Sequence, residues 1–360
     1  MKSNNRKKDI GFIIFVVLAF AFPFIFSLLG QTSLTEGINK FWQGQLINFF
    51  IMAVFAMSYD LLIGYAGMLS FGHAASFGGG AYTVALLLTH VAPDILKSYQ
   101  IFIGNLNITE IVILIMCFLA AILVSILIGL LFSASAMRVK GAYFAMLTLA
   151  LATALNLLAR ATDFVEWTGA DEGMHGVPVP MWINPTQNRL TFYFIALTFM
   201  VVAYLLMKRI VSSPTGRVIQ ATRENEDRSR MIGYNPVTYR TLAFVIASVF
   251  AGVAGGLYSL WTTSATPSMT SSVTTVNALI MTIFGGMGTL IGPILGAGIM
   301  QIFSQFLYTW FGARWPLVFG IIFVLIVMFL PYGIVGTWRL QGFKLKQGWQ
   351  RLLGMLKSKD

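Results

Sequence analysis

Apolar stretches of 18 residues or more recur from one end of this chain to the other, and nothing else in the sequence restricts the fold as much. Each stretch is long enough to cross roughly 30 Å of hydrocarbon as a helix. In lipid every backbone N–H and C=O must find a partner within the protein, which leaves helices or a closed barrel. The runs are continuous rather than alternating, so barrel strands are disfavoured. Composition points the same way: 57% of the residues are hydrophobic and 10% are charged, against about 25% charged in a soluble domain. The sequence therefore predicts an all-α, polytopic transmembrane helical bundle.

At about 20 residues per crossing, spans are expected near 10–30, 45–65, 70–91, 110–133, 141–160, 190–208, 240–262, 273–290, 291–311 and 316–336. The third and eighth are rich in glycine and open to being broken or re-entrant, so the expectation is about ten spans within a range of eight to ten. The first run contains Pro23, follows Lys7 and Lys8, and is longer than a signal-peptide core. No A-x-A site comes after it, so an uncleaved helix is expected. Residues 1–340 then form one transmembrane domain with a cytoplasmic loop at 208–240, and 341–360 form a basic cytoplasmic tail.

Charge orients the bundle, because Lys and Arg accumulate in cytoplasmic loops. With both termini inside, the inner segments hold nineteen of the 24 Lys and Arg. Most of the acids, including Glu36, Asp94, Glu110, Asp163, Glu166, Asp171 and Glu172, fall outside. The net charge of +11 thus reads as topology and not as a nucleic-acid footprint, since the bases are scattered between spans and form no single patch.

No catalytic signature is present: neither a phosphate-binding G-x-x-x-x-G-K-[ST] loop nor an H-E-x-x-H helix for zinc. His73, His90 and His175 are too dispersed for a metal cluster, and the one cysteine, Cys117, excludes an internal disulfide framework. Any uphill transport must draw its energy from another chain or from an ion gradient. Ionisable residues inside spans are costly and mark functional candidates; Asp60 and His73 are the clear cases. They are read either as a gate or as hydrogen-bonding ties between helices. Gly285, Gly286 and Gly288 break their span and expose backbone dipoles, or Gly288, Gly292 and Gly296 form one small-residue packing face. Gly78-Gly79-Gly80 poses the same choice. Gly80-Ala81-Tyr82 and Gly141-Ala142-Tyr143 hint at a repeated unit that opens two spans.

The inner loop runs from Ser213-Pro214 to Ile232-Gly233. Proline suits a helix entry and glycine an exit, so a short amphipathic helix outside the membrane is expected, with Val218, Ala221, Met231 and Ile232 as its apolar contacts.

Several of these stretches resemble the permeases of branched-chain amino acid ABC transporters, particularly the longer of the two paired membrane subunits. The resemblance covers roughly residues 45–336. It rests on Leu61 to Ala75 with Gly80-Ala81-Tyr82-Thr83, on Arg138 to Ala145, on Ser213 to Arg217, on Ala221 to Gly233, and on Gly285 to Pro293. It implies an ATP-driven importer for amino acids, with Leu, Ile and Val as expected solutes and urea or short amides as the alternative. An ion-coupled secondary transporter is the rival class, with only Asp60 and His73 to hold an ion. The implied partners are ATP-binding ABC subunits, a second permease subunit in a heterodimer, a periplasmic solute-binding protein and membrane lipid, in the bacterial inner membrane. This chain itself is expected to bind no cofactor and no metal, its partner subunit using the ATP. The inner helix takes the role of ATPase coupling, through Arg217, Ala221, Arg223, Glu224, Asn225, Glu226 and Gly233. Candidates for the translocation pathway or its gate are Asp60, His73, Tyr143, Thr168, Asp171, Gly285, Gly286 and Gly288. The family's outer-loop pattern Thr-Gly-Gly-x-Asp/Asn-Gly-Leu is altered here to Thr168-Gly169-Ala170-Asp171-Glu172-Gly173-Met174, which bears on solute choice.

Overall fold

A computed structural model describes residues 2–30, 37–98, 102–103, 106–139, 141–329, 333–334 and 336–337. The basic tail at 341–360 lies outside these residues, as does Lys140. In chain order the helices are α1 (Lys2–Gly30), α2 (Gly37–Asp60), α3 (His73–Leu86), α4 (Ala92–Ser98), α5 (Ile108–Ala136), α6 (Ala142–Arg160), α7 (Val165–Thr168), α8 (Arg189–Ser212), α9 (Pro214–Glu224), α10 (Glu226–Met231), α11 (Pro236–Thr262), α12 (Ser272–Gly285), α13 (Ile291–Phe311) and α14 (Trp315–Phe329). A π-helical turn, Leu61–Tyr65, continues α2, and another, Leu87–Val91, joins α3 to α4. Among the described residues strands are limited to two short antiparallel ladders. One pairs β1 (Phe102–Ile103) with β2 (Leu106–Asn107); the other pairs β3 (Met174–His175) with β4 (Ser264–Ala265).

Seven helical stretches are long and apolar enough to cross a membrane, and two shorter apolar helices, Gly11–Ser27 and Ser272–Gly285, lie among the described residues. The molecule is an all-α, multi-pass membrane protein. Its polarity is that of a protein solvated by lipid. On α5 the outward residues are Met116, Leu119, Leu123 and Leu127, while the small and polar Ser125, Gly129 and Ser133 turn inward. Membrane helices associate through small residues that let backbones approach, because lipid tails offer no hydrophobic drive.

The centre of the bundle is the crossing of α3 and α11, flanked by α2, α5 and α12, with α13 packed on α2 and α12. Glycine makes it possible: a Cβ on Gly80 would lie 2.5 Å from the Gly252 carbonyl carbon, and one on Gly255 would lie 2.6 Å from that of Phe77. The helix runs unbroken through Gly78-Gly79-Gly80, so the third span keeps its helical hydrogen bonds there. α12 does end at Gly285, and five residues of irregular chain separate it from α13. Gly288 therefore lies off any helix, and the expected Gly288–Gly292–Gly296 face does not form. Gly292 and Gly296 instead sit in α13 against Gly285 and the Met281 carbonyl of α12. The hint of a repeat also fails in three dimensions. Gly80 is inside α3 and Tyr82 is buried, whereas Gly141 precedes α6 at φ +61 and Tyr143 is 74% exposed.

Candidate functional site

Two ends of the bundle differ in charge and in construction. At one end Arg138, Lys208, Arg209, Arg217, Arg223, Arg228, Arg230 and Arg240 gather around α9 and α10; this is the basic end. At the other, Asp163, Glu166, Asp171 and Glu172 occupy the loop that follows α6.

The segment expected as one helix from Arg217 to Gly233 is two. Asn225 leaves the helical region at φ −156, and its side chain accepts the Arg228 N–H at 2.9 Å. Asn is a strong N-cap residue, and Glu226 and Asp227 in the first turn of α10 suit the positive end of its dipole. Ser213 caps α9 in the same way, accepting the Gly216 N–H at 3.1 Å, with Pro214 in the first turn. Gly233, at φ +91, closes α10 by donating to the Arg230 carbonyl.

Of the four expected apolar contacts Val218 is half-buried, and the others are exposed. Gly216, Ile219 and Thr222 are the buried positions of α9, and Ala221 is exposed. Met231 and Ile232 are 87% and 68% exposed. Glu226 is turned inward, bridging Arg230 at 2.7 Å and Arg240 at 3.1 Å, so it braces the loop. Glu224 and Arg217 are exposed.

Arg223 connects this loop to the bundle. Its guanidinium donates to the Gly64 carbonyl, in the π-turn that ends α2. One turn back, the fully buried Asp60 spans the α12–α13 break. Its carboxylate accepts the Gly288 N–H at 2.7 Å and the Leu290 N–H at 3.2 Å. The break is a strained segment: Gly286 and Gly288 have φ of +111 and +74, and Leu290, which carries a Cβ, sits at +54. Glycine adopts these angles without steric cost, whereas the left-handed Leu290 costs of order 1–2 kcal/mol and persists only where the surroundings hold it. Gly64 must be glycine, since a Cβ there would meet the Gly288 nitrogen at 2.5 Å. Arg223, Gly64, Asp60 and the Gly286–Leu290 loop thus form one connected unit.

His73 belongs to a separate tie. Its Nε2 lies 2.7 Å from Ser58 Oγ, which itself donates to the Phe55 carbonyl. That hydroxyl proton is committed, so Nε2 carries the hydrogen of this bond, and Nδ1 is buried without a partner. The ring stacks on Phe55 at 5.5 Å. The remaining pathway candidates are dispersed. Tyr143 faces outward on α6. Thr168 caps its own turn, and Asp171 pairs with Arg160 at 3.0 Å on the acidic surface. Ala170 occupies φ +48 there, which is a reason for glycine at that place in the family pattern.

Between α2, α3, α11, α12, α13 and α14 lies a cavity of about 380 Å³ that none of the candidates from the sequence lines. Its walls carry Asn48, Asn277 and Gln301 among methionines and aromatic rings. Neutral amides escaped a reading that ranked intramembrane residues by charge. The available signal was the cluster Gln43, Gln45 and Asn48 in one apolar helix and Gln301 with Gln305 in another.

Residues 43–330 match the protein family described as the permease component of branched-chain amino acid transport systems. The high-affinity branched-chain amino acid transport system permease LivM of Salmonella typhimurium is 25% identical, over 96% of this chain and 79% of that protein. A probable branched-chain amino acid permease LivM of Methanocaldococcus jannaschii is 25% identical, over 81% of this chain and 92% of its own length. The autoinducer 2 import permease LsrC of Photorhabdus laumondii is 27% identical over 42% of this chain and 44% of its own. No solved structure matches.

Proposed function

Because the chain belongs to the family of permease components of branched-chain amino acid transport systems, we propose that it lines the membrane path of an ATP-driven importer for leucine, isoleucine and valine. It is a transport subunit, with ATP hydrolysed on separate subunits. The family match over residues 43–330 carries this reading. The basic end faces the cytoplasm, as the distribution of Lys and Arg favours, and the membrane is the bacterial inner membrane. There α9 and α10 dock on the ATP-binding subunit. The exposed Met231 and Ile232, flanked by Arg228 and Arg230, offer an apolar patch with a polar rim, a common form of protein interface. The acidic end receives a solute-binding protein, and a second, related permease completes the path.

Coupling runs from α9 through Arg223 to the Gly64 carbonyl, then through Asp60 to the α12–α13 break. A shift of α9 pulls on the end of α2 and on the break together.

The test is uptake of labelled leucine into proteoliposomes holding this chain, its partner permease, the ATP-binding subunits and loaded binding protein. Uptake is expected to need ATP; uptake that persists on a proton or sodium gradient without the ATPase would overturn the reading. In the same vesicles Arg223→Gln is expected to lower leucine uptake by about tenfold, the effect of roughly 1.4 kcal/mol of lost coupling, with ATP hydrolysis retained. Equal uptake in both would remove Arg223 from the route.

A further inference from the structure

The open-mouthed cavity of about 380 Å³ between α2, α3, α11, α12, α13 and α14 has a volume within the usual range for small-molecule sites, about 300–1,000 Å³. Among the described residues its lining contains no Asp, Glu, Lys, Arg or His. Its polarity is graded along the bundle axis. Towards the acidic end it carries Asn48, Ser268, Thr274, Asn277 and Ser304, of which Ser268 is exposed at the rim. Towards the basic end it is closed by Phe55, Phe77 and Met281. The Phe55 and Phe77 rings meet at 4.5 Å and form a floor. His73 stacks on Phe55 just beyond it.

One polar group on the wall has a defined vacancy. Gln301 donates to Gln45 Oε1 and accepts the Asn48 Nδ2–H at 3.0 Å. This relay fixes the Asn48 amide, and its Oδ1 is left buried without a partner. Asn277 of α12 likewise has no side-chain hydrogen bond among the described residues.

We propose that this chamber is the intramembrane resting site of the solute, and that it selects a zwitterionic amino acid of zero net charge, held with its ammonium among the amides and hydroxyls and its aliphatic side chain on the Phe55–Phe77–Met281 floor. The assignment of leucine as the probe rests on the transport reading above. The Asn277 Oδ1 and the hydroxyl oxygens accept from the ammonium, and the Asn277 Nδ2–H and the hydroxyls donate to the carboxylate. A zwitterion brings its own counter-charge. A cationic or anionic amino acid would leave one charge unpaired inside the bundle, which is costly. The path from the chamber to the basic end leads through the aromatic floor.

The single cysteine makes the test direct. In a Cys117→Ala background, Asn277→Cys and Ser304→Cys are each made in the assembled permease–ATPase complex, without binding protein. The reaction of each with a small methanethiosulfonate is timed, with Gln187→Cys as an exposed control at the same end. Leucine at ten times its Kd is expected to slow both chamber cysteines about tenfold, by occupancy alone. Glutamate and lysine are expected to protect neither, and the control is expected not to respond. Unprotected chamber cysteines in a complex that accumulates leucine with its binding protein would overturn the chamber and leave the transport reading intact. Equal protection by leucine, glutamate and lysine would overturn the selection for zero net charge. Protection by urea or acetamide, in a complex that accumulates no leucine, would support the chamber and overturn leucine as the solute.

Discussion

Replacing Asp60 by leucine is expected to remove the folded transporter from the membrane, or to lower its melting midpoint in detergent by about 5 °C or more. The two side chains share a branched shape, but the leucine methyls are bulkier than the carboxylate oxygens and must fit where backbone nitrogens now approach to 2.7 and 3.2 Å. The loss is of hydrogen-bond acceptors. With the carboxylate gone, the Gly288 and Leu290 N–H groups lose the acceptor that holds them at the end of α2. Each buried donor left unmatched costs about 1–3 kcal/mol. The positive φ at Leu290 loses the clamp that holds it, at a further cost of about 1–2 kcal/mol. The total of roughly 3–8 kcal/mol is large against the 5–15 kcal/mol that typically separates folded from unfolded states. Asp60→Asn separates the two roles of the residue. Its single carbonyl oxygen keeps one of the bonds and turns an NH₂ towards the other donor. The complex is expected to assemble, to hydrolyse ATP and to lose most of its leucine uptake. A leucine variant with the parent's melting midpoint and uptake would exclude Asp60 as the anchor of the break.

How much of this was readable in advance depended on the kind of force involved. The helical stretches were legible because lipid demands long apolar runs, and residue patterns register that demand locally. The break after Gly285 was one of two readings left open, since Gly-Gly-x-Gly followed by Pro293 fits a broken span as well as a small-residue packing face. The inner loop was located by Pro214 and Gly233, but its division at Asn225 was missed. Asn225 was placed within one continuous coupling helix, when its short amide competes for the next backbone N–H groups. Asp60 and His73 stood out by charge, yet their partners lie far along the chain. Asp60 meets residues 288 and 290, and only tertiary structure brings them together. The chamber was the least legible feature. It is made of neutral amides, hydroxyls, methionines and rings from six helices and the segment that joins α11 to α12, each ordinary in its own place.

The glycine triplet in α3 supplies the second large expected effect, and it distinguishes three adjacent residues that look alike in sequence. Gly80→Val is expected to abolish assembly, whereas Gly79→Ala is expected to assemble and transport nearly as the parent does. The neighbours decide the difference. A Cβ on Gly80 meets the backbone of Gly252 in α11, and backbone cannot swing aside. The helices must separate, and Gly255 against Phe77 locks the same crossing nearly one turn further along. Overpacking a tight site costs about 1–3 kcal/mol even where side chains can yield, and here none can. A Cβ on Gly79 meets only the Cδ1 of Ile128, 2.5 Å away at the flexible end of a side chain that can change rotamer. Gly78 is the instructive third case. Its Cβ would press the Thr270 nitrogen at 2.8 Å, in the short Pro267–Thr270 turn beside the chamber. Gly78→Ala should therefore fold but displace that turn, lowering leucine uptake several-fold with ATP hydrolysis preserved. Normal assembly of Gly80→Val, measured as a single peak of the full complex on size exclusion, would show that the α3–α11 crossing is looser than the close approach of these glycines implies.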